Sequence, residues 1–171
     1  MLPGAVFVLA LIPLGGLPAA AYVRGATGDL SITTLVLLWC ALLRPWIGRR
    51  DGQRNALLML VAPVAAIFYP MALGLGLFDP YRMGYGTPLF IAALLLAALA
   101  AWRLRYSLAA LCIALSVLAW SFGWYESANL WDYLFDPFVS LYALGAIAIQ
   151  AMKRMANWRR NTPERPGQVP G

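Results

Sequence analysis

Residues 123–138 read GWYESANLWDYLFDPF, with six aromatic side chains, three acids (Glu126, Asp132 and Asp136) and no base. The whole chain nevertheless carries a net charge of +6. Tryptophan and tyrosine favour the bilayer–water boundary, where an apolar ring and a polar tip match the two sides. Carboxylates without lysine or arginine belong on the membrane face opposite the positively charged one. The stretch therefore reads as an outer hairpin loop of a membrane protein. Ser127 is the expected N-cap of a short boundary helix. Leu130, Trp131, Leu134, Phe135 and Phe138 then fall on one side, with Asn129, Asp132, Tyr133 and Asp136 on the other, facing water or a partner.

The rest of the chain supports this setting. Of its 171 residues 62% are hydrophobic and 12% charged, whereas soluble domains average about 45–50% and about 25%. So little polar surface cannot cover a water-soluble globule. Spanning helices need roughly 20 mostly apolar residues, and six blocks approach that length: Ala5–Val23, Leu30–Trp46, Ala56–Phe78, Thr87–Trp102, Ser107–Trp124 and Pro137–Met152. The fourth and sixth are short and rely on Trp102, Arg103, Lys153 and Arg154 snorkelling into the headgroups.

The bases set the orientation. Arg44, Arg49, Arg50 and Arg54 follow block two, Arg103 and Arg105 follow block four, and Lys153, Arg154, Arg159, Arg160 and Arg165 follow block six. Only Arg24 and Arg82 fall on the other side, together with Asp29, Asp79, Glu126, Asp132 and Asp136. The expected fold is all-α: a polytopic transmembrane bundle of about six helices in an inner (plasma) membrane, with both termini cytoplasmic. Residues 1–160 form the membrane domain, and the proline- and glycine-rich residues 161–171 form a disordered cytoplasmic tail. Bases at the ends of apolar blocks read as topology signals near anionic lipid, which excludes nucleic acid as a partner.

Local signals refine the picture. Asp136-Pro137 and Thr87-Pro88 each place a capping residue before proline, the favoured first helical residue. Asn55 is expected to cap block three and Asp29 block two. LFDPY (77–81) and LFDPF (134–138) echo each other, which reads as a shared helix-start dipeptide rather than a duplication. Ala19-Ala20-Ala21 is similar to a signal-cleavage site, but Met1-Leu2-Pro3-Gly4 lacks a positive n-region, so block one is expected to be a permanent helix. Gly84-Tyr85-Gly86 matches the core of a potassium filter without the preceding threonine and valine carbonyls, and reads as a turn.

The chemistry-bearing residues are few. The chain has no histidine, which excludes His-ligated haem, His-containing zinc sites and Ser–His or Cys–His catalysis. No Asp, Glu, Lys or Arg lies centrally in any block, which argues against proton-coupled pumping. Cys40 and Cys112 sit in the base-side half of their blocks and read as small buried hydrophobes rather than a redox pair. No cofactor or metal is expected. The densest polar group is Asp79, Arg82, Glu126, Asp132 and Asp136, joined by Trp131, at the outer face. Three functions follow, in this order. The first is a non-enzymatic accessory or assembly subunit, binding a membrane or periplasmic partner or a second copy of itself through that face. The second is a small-solute or ion transporter using blocks one and three, which prolines interrupt. The third is a membrane enzyme using paired carboxylates on a lipid-linked substrate.

Overall fold

Residues 9–44 and 51–161 are described by a computed structural model, in which helices account for nearly all of the secondary structure. The first departure from expectation comes in block one. Pro13–Leu14 (β1) and Leu17–Pro18 (β2) pair antiparallel, with Pro13 opposite Pro18 and Leu14 opposite Leu17. Gly15 and Gly16 make the two-residue turn, at φ +56° and +94°. Positive φ at both central positions defines the hairpin turns whose twist matches their strands, and glycine adopts it without steric cost.

The hairpin folds the chain back, the Ala19 amide donating to the Ile12 carbonyl at 2.9 Å, and the nine-residue α1 (Ala19–Thr27) follows. Leu9, Ala10, Leu30 and Tyr125 share the wall of one apolar cavity of about 590 Å³. Residues 9–27 thus stay at the end of the molecule that holds Tyr125. The expectation of a permanent spanning helix over block one is corrected: a hairpin and a nine-residue helix stand in its place. Its first residues, 5–8, lie outside the described residues, as does the tail beyond Asn161.

Four long helices and one shorter one build the body: α2 (Ile32–Leu42), α3 (Asp51–Pro70), α4 (Pro88–Arg103), α5 (Ser107–Ser121) and α7 (Pro137–Asn161). Ser31, not Asp29, caps α2, its hydroxyl accepting from the Thr34 amide at 3.2 Å. Asn55 lies inside α3, which already begins at Asp51. Pro63 is carried within α3. After Pro70 the helix loosens into a π turn, Met71–Leu75, where Gly74 takes φ +86°. Proline supplies no amide to the ladder and glycine tolerates the reversed φ, so the helix unwinds at this point.

Helices α4 and α5 end alike. At the end of α4 the Arg105 amide donates to Trp102 and the Tyr106 amide to Ala101. At the end of α5 Gly123 donates to Trp120 and Trp124 to Ala119. This is the paired closure of a Schellman motif, which satisfies the last carbonyls by one left-handed residue. That residue is Gly123 in one case and Arg105, at φ +65°, in the other.

The core runs along α5. Its buried residues Leu108, Ala109, Cys112, Ser116 and Ala119 recur at helical spacing, and α5 touches α2, α3 and α4. α3 packs along α7, giving Leu58, Ala62 and Ala65 buried partners. Two ends are thereby defined. At one, Gln53 donates to the Arg105 carbonyl at 2.7 Å and accepts from the Leu108 amide at 3.3 Å, which joins the start of α3 to the turn carrying Arg103 and Arg105. At the other lie the 3₁₀ turn Pro80–Gly84 and the five-residue α6 (Leu130–Leu134).

Helix α6 corrects the surface-helix expectation. Asn129 caps it, accepting from the Trp131 amide at 3.0 Å. Its presumed water side is buried, with Asn129 and Tyr133 both 0% exposed and Asp136 7% exposed. The reason is packing: α6 is inserted against α5, α2 and the 3₁₀ turn, so neighbours cover both of its faces. The outward alternation of polar and apolar residues was a false guide because the polar members find partners inside.

Candidate functional site

The opening stretch folds into a hydrogen-bonded cap over one end of the bundle. Asp136 is its keystone. One carboxylate oxygen accepts from the Ser31 amide at 2.8 Å and from the Thr34 hydroxyl at 2.7 Å. The other accepts from the Val139 amide at 2.8 Å, the N-cap bond that the Asp-Pro dipeptide foretold. A single side chain thus starts α7 and ties it to the start of α2. Its donors are all neutral, as suits a buried acid stabilised by directed hydrogen bonds rather than by an ion pair.

Asp132 is half-buried. One of its oxygens accepts from the Tyr81 hydroxyl at 3.0 Å and from the Ser127 hydroxyl at 2.5 Å. Tyr133 accepts from the Tyr125 amide at 2.9 Å and donates to the Ser127 carbonyl at 3.1 Å, while its ring stacks on Tyr125 at 4.7 Å. Asn129 donates to the Tyr81 carbonyl at 2.9 Å, and the Trp131 indole donates to the Pro80 carbonyl at 2.9 Å. The loops at 80–84 and 125–134 are therefore locked together by side chain–backbone bonds. In a buried setting such bonds are costly to leave unmade.

Beside this network lies a cavity of about 380 Å³. Phe68, Tyr69, Tyr81, Trp131 and Phe135 give it aromatic walls. Phe68 and Trp131 are 4.6 Å apart between ring centroids, and Phe68 and Phe135 are 5.2 Å apart, edge to face. Asp29, Asp132 and Asp136 add carboxylates, and none of the described residues lining it is lysine or arginine. Ala72 and Leu73, from the π turn after α3, close one side.

The candidate residues thus separate into two groups. Trp131, Asp132 and Asp136 come together at the cavity. Asp79, Arg82 and Glu126 stay exposed on the loops. Asp79 caps the 3₁₀ turn by accepting from the Tyr81 amide at 3.0 Å, so both Asp-Pro pairs are helix starts. Asp29 pairs with Arg24 at 2.7 Å on the surface, and that bond raises the already high Arg24 value further. Phe68, Tyr69 and Tyr81 are not among the residues the sequence singles out, and Ser127 and Asn129 are read there only as the cap and a wet residue of the boundary helix, whereas Asn129 is the cap and is buried. The Tyr81 phenol, next to the Asp-Pro pair at 79–80, donates to Asp132. Among the described residues, no group of three or more histidines, cysteines or acids is placed to hold a metal ion. Cys40 and Cys112 are free thiols, half-buried and buried respectively.

Burial, then the neighbouring Asp132 charge and the hydrogen bond to it, push the Tyr81 hydroxyl well above the ordinary tyrosine value of 10.0. Burial, followed by the Asp29 charge, acts the same way on Tyr125. A raised value means that folding favours the neutral phenol. The stabilisation is full below pH 10.0 and is lost as pH climbs towards the raised value. An absorbance titration should therefore show a late-ionising class of tyrosine that shrinks in Tyr81→Phe. Identical titration curves for the two proteins would refute the Tyr81–Asp132 pairing.

No protein-family model, curated protein or solved structure matches the chain.

Proposed function

We propose that this is a polytopic inner-membrane protein of the accessory or assembly kind, which holds a membrane or periplasmic partner against its acidic cap. The observation that carries the reading is how the cap's polar groups are used. Asp132, Asp136, Asn129 and Tyr133 are bonded into the scaffold that fixes the loops. A rigid platform results. Exposed on the loops it fixes are Tyr85, Phe122 and Trp124, with the charges of Asp79, Arg82 and Glu126. Large exposed aromatics beside charged groups are the composition of a recognition surface.

The membrane setting is supported by what the helices present outward. On α4, Leu89, Leu95, Leu96 and Leu99 are exposed, as are Leu111 and Leu118 on α5 and Leu141 and Ile149 on α7. Asp51–Leu75 is, by length and composition, the one helix among the described residues suited to cross a bilayer, and α2, α4 and α5 are shorter apolar helices. α4, at 16 residues, spans about 24 Å against a hydrocarbon core of about 30 Å. Local thinning and the snorkelling of Trp102 and Arg103 make up the difference. In this reading the arginine end is cytoplasmic, α2, α3, α4, α5 and α7 make five crossings in place of the expected six, residues 9–27 lie at the outer boundary, and the two ends of the described chain fall on opposite faces.

Gentle detergent extraction followed by affinity purification tests the reading. The protein is expected in the membrane fraction with a partner retained. Arg82→Glu and Glu126→Lys should each lower retention several-fold without altering helix content. Recovery in a detergent-free soluble fraction, or a protein that runs alone while still complementing its deletion, would count decisively against it. A second reading, small-solute conduction, is favoured by the cavity beside the unwound end of α3. Solute uptake into proteoliposomes separates the two.

A further inference from the structure

We propose that the aromatic cavity between α3 and the cap is a binding site for an organic ammonium group, either the headgroup of an aminophospholipid or a free amine. The inference does not depend on the partner reading, because the cavity and the exposed Asp79, Arg82 and Glu126 are separate features.

Two independent properties of the walls point to that ligand. The first is the rings. Phe68, Tyr69, Tyr81, Trp131 and Phe135 line a space of about 380 Å³ and pack against one another along its wall, with neighbouring centroids between 4.6 and 6.3 Å apart. The negative π face of an aromatic ring attracts a cation lying within about 6 Å of its centroid, and several rings around one volume form the aromatic cages that hold alkylated ammonium groups. Phosphate or carboxylate ligands would be repelled by the same faces. A space of this size admits an ammonium centre with its alkyl substituents.

The second property is uncompensated charge. Among the described residues, Asp29 alone of the three carboxylates on the wall has a cation, Arg24. Asp136, 7% exposed, takes three hydrogen bonds from neutral donors. Asp132 takes both of its bonds on Oδ2, from two neutral hydroxyls. Its Oδ1 accepts no bond from a described residue and remains available to a ligand. Asp136 is satisfied by its three bonds, so the charge left open is that of half-buried Asp132, which a cation in the adjoining space would offset. Hydrophobic filler would satisfy the rings and leave the charge. A metal ion would need three or more converging ligands, which the described residues do not offer. An organic cation meets both conditions. The position of the cavity, at the end bearing the boundary aromatics, also places it at the depth of lipid headgroups.

The test uses full-length protein in nanodiscs of phosphatidylglycerol alone, titrated calorimetrically with choline and with 3,3-dimethylbutan-1-ol, which replaces the charged nitrogen by carbon. Choline is expected to bind saturably and at least about tenfold more tightly than the alcohol. Asp132→Asn should weaken choline about tenfold through loss of the charge, and Phe135→Leu by several-fold through loss of a ring, with helix content unchanged. The second variant keeps the test valid should the first fail to fold. Repeating the titration in nanodiscs that contain phosphatidylethanolamine identifies the source. A weaker apparent choline affinity there assigns the lipid headgroup, and an unchanged affinity assigns a free amine; either result requires the site. Equal binding of choline and its neutral isostere, no choline binding in either disc, or an affinity unmoved in both folded variants overturns the proposal.

Discussion

Gly84→Ala should unfasten the cap. A methyl group at this position would stand 1.8 Å from Asn129 Oδ1 and 2.7 Å from Cδ1 of Trp131. Neither side chain is free to move aside. Asn129 is fully buried, and its carboxamide is held by the Tyr81 carbonyl and the Trp131 amide. Trp131 is wedged against Phe68 and Phe90, 4.6 and 4.4 Å from their centroids. Relief of the clash means breaking both carboxamide bonds or shifting the indole. Overpacking and unsatisfied polar groups together should cost about 3 kcal/mol. Gly145→Ala is the matched control. It lies within α7 with nothing inside 4 Å of the added carbon, so helix propensity alone should make it neutral or slightly stabilising. Equilibrium unfolding in detergent, or protease cleavage near residue 84, reads the difference. If the two variants prove equally stable, the Asn129 clasp as described does not exist.

Asp136→Ala should be more damaging still. It leaves the Ser31 amide, the Thr34 hydroxyl and the Val139 amide without their acceptor, in a site where water has little access. Loss of the cap on α7 adds to the desolvation of three donors, for about 4 kcal/mol in all. Asp136→Asn keeps the shape and one carbonyl oxygen but turns an amide donor towards other donors, and should lose about 2 kcal/mol. Combining Asp136→Ala with Thr34→Val should cost less than the sum of the two changes, because Thr34 has already lost its acceptor. Denaturant midpoints for the four proteins decide the matter. A loss below about 1 kcal/mol for Asp136→Ala would remove Asp136 from its place at the join of α2 and α7.

How much of this could be read from residue order differed by element. Blocks of apolar residues located α2, α3, α4, α5 and α7 because an apolar run of more than about ten residues bounded by charges, glycine or proline is too long for a strand. The Asp-Pro and Thr-Pro starts were legible because capping is local chemistry. Block one was misread: PLGGLP has the apolar content of a helix, but two adjacent glycines free to take positive φ favour a hairpin. For α6 the helix itself was legible and its burial was not. Polar side chains facing one way on a helical wheel read as wet unless their partners are known. Those partners, Ser31 and Tyr81, come from distant parts of the chain. The same limit hid the cavity, whose walls combine α3, the 3₁₀ turn and α6. Gly84 was visible only as a turn residue, since the constraint on it is the volume of Asn129, not its own backbone.

The bond between Asp136 and Ser31 joins positions 105 residues apart. During synthesis, therefore, α2 is in place long before the carboxylate that fastens it has left the ribosome. Throughout that interval the Ser31 amide and the Thr34 hydroxyl at the head of α2 lack their final acceptor. Truncations ending before Asp136 should accordingly be the forms that cellular proteases clear first, even though they carry most of the helices.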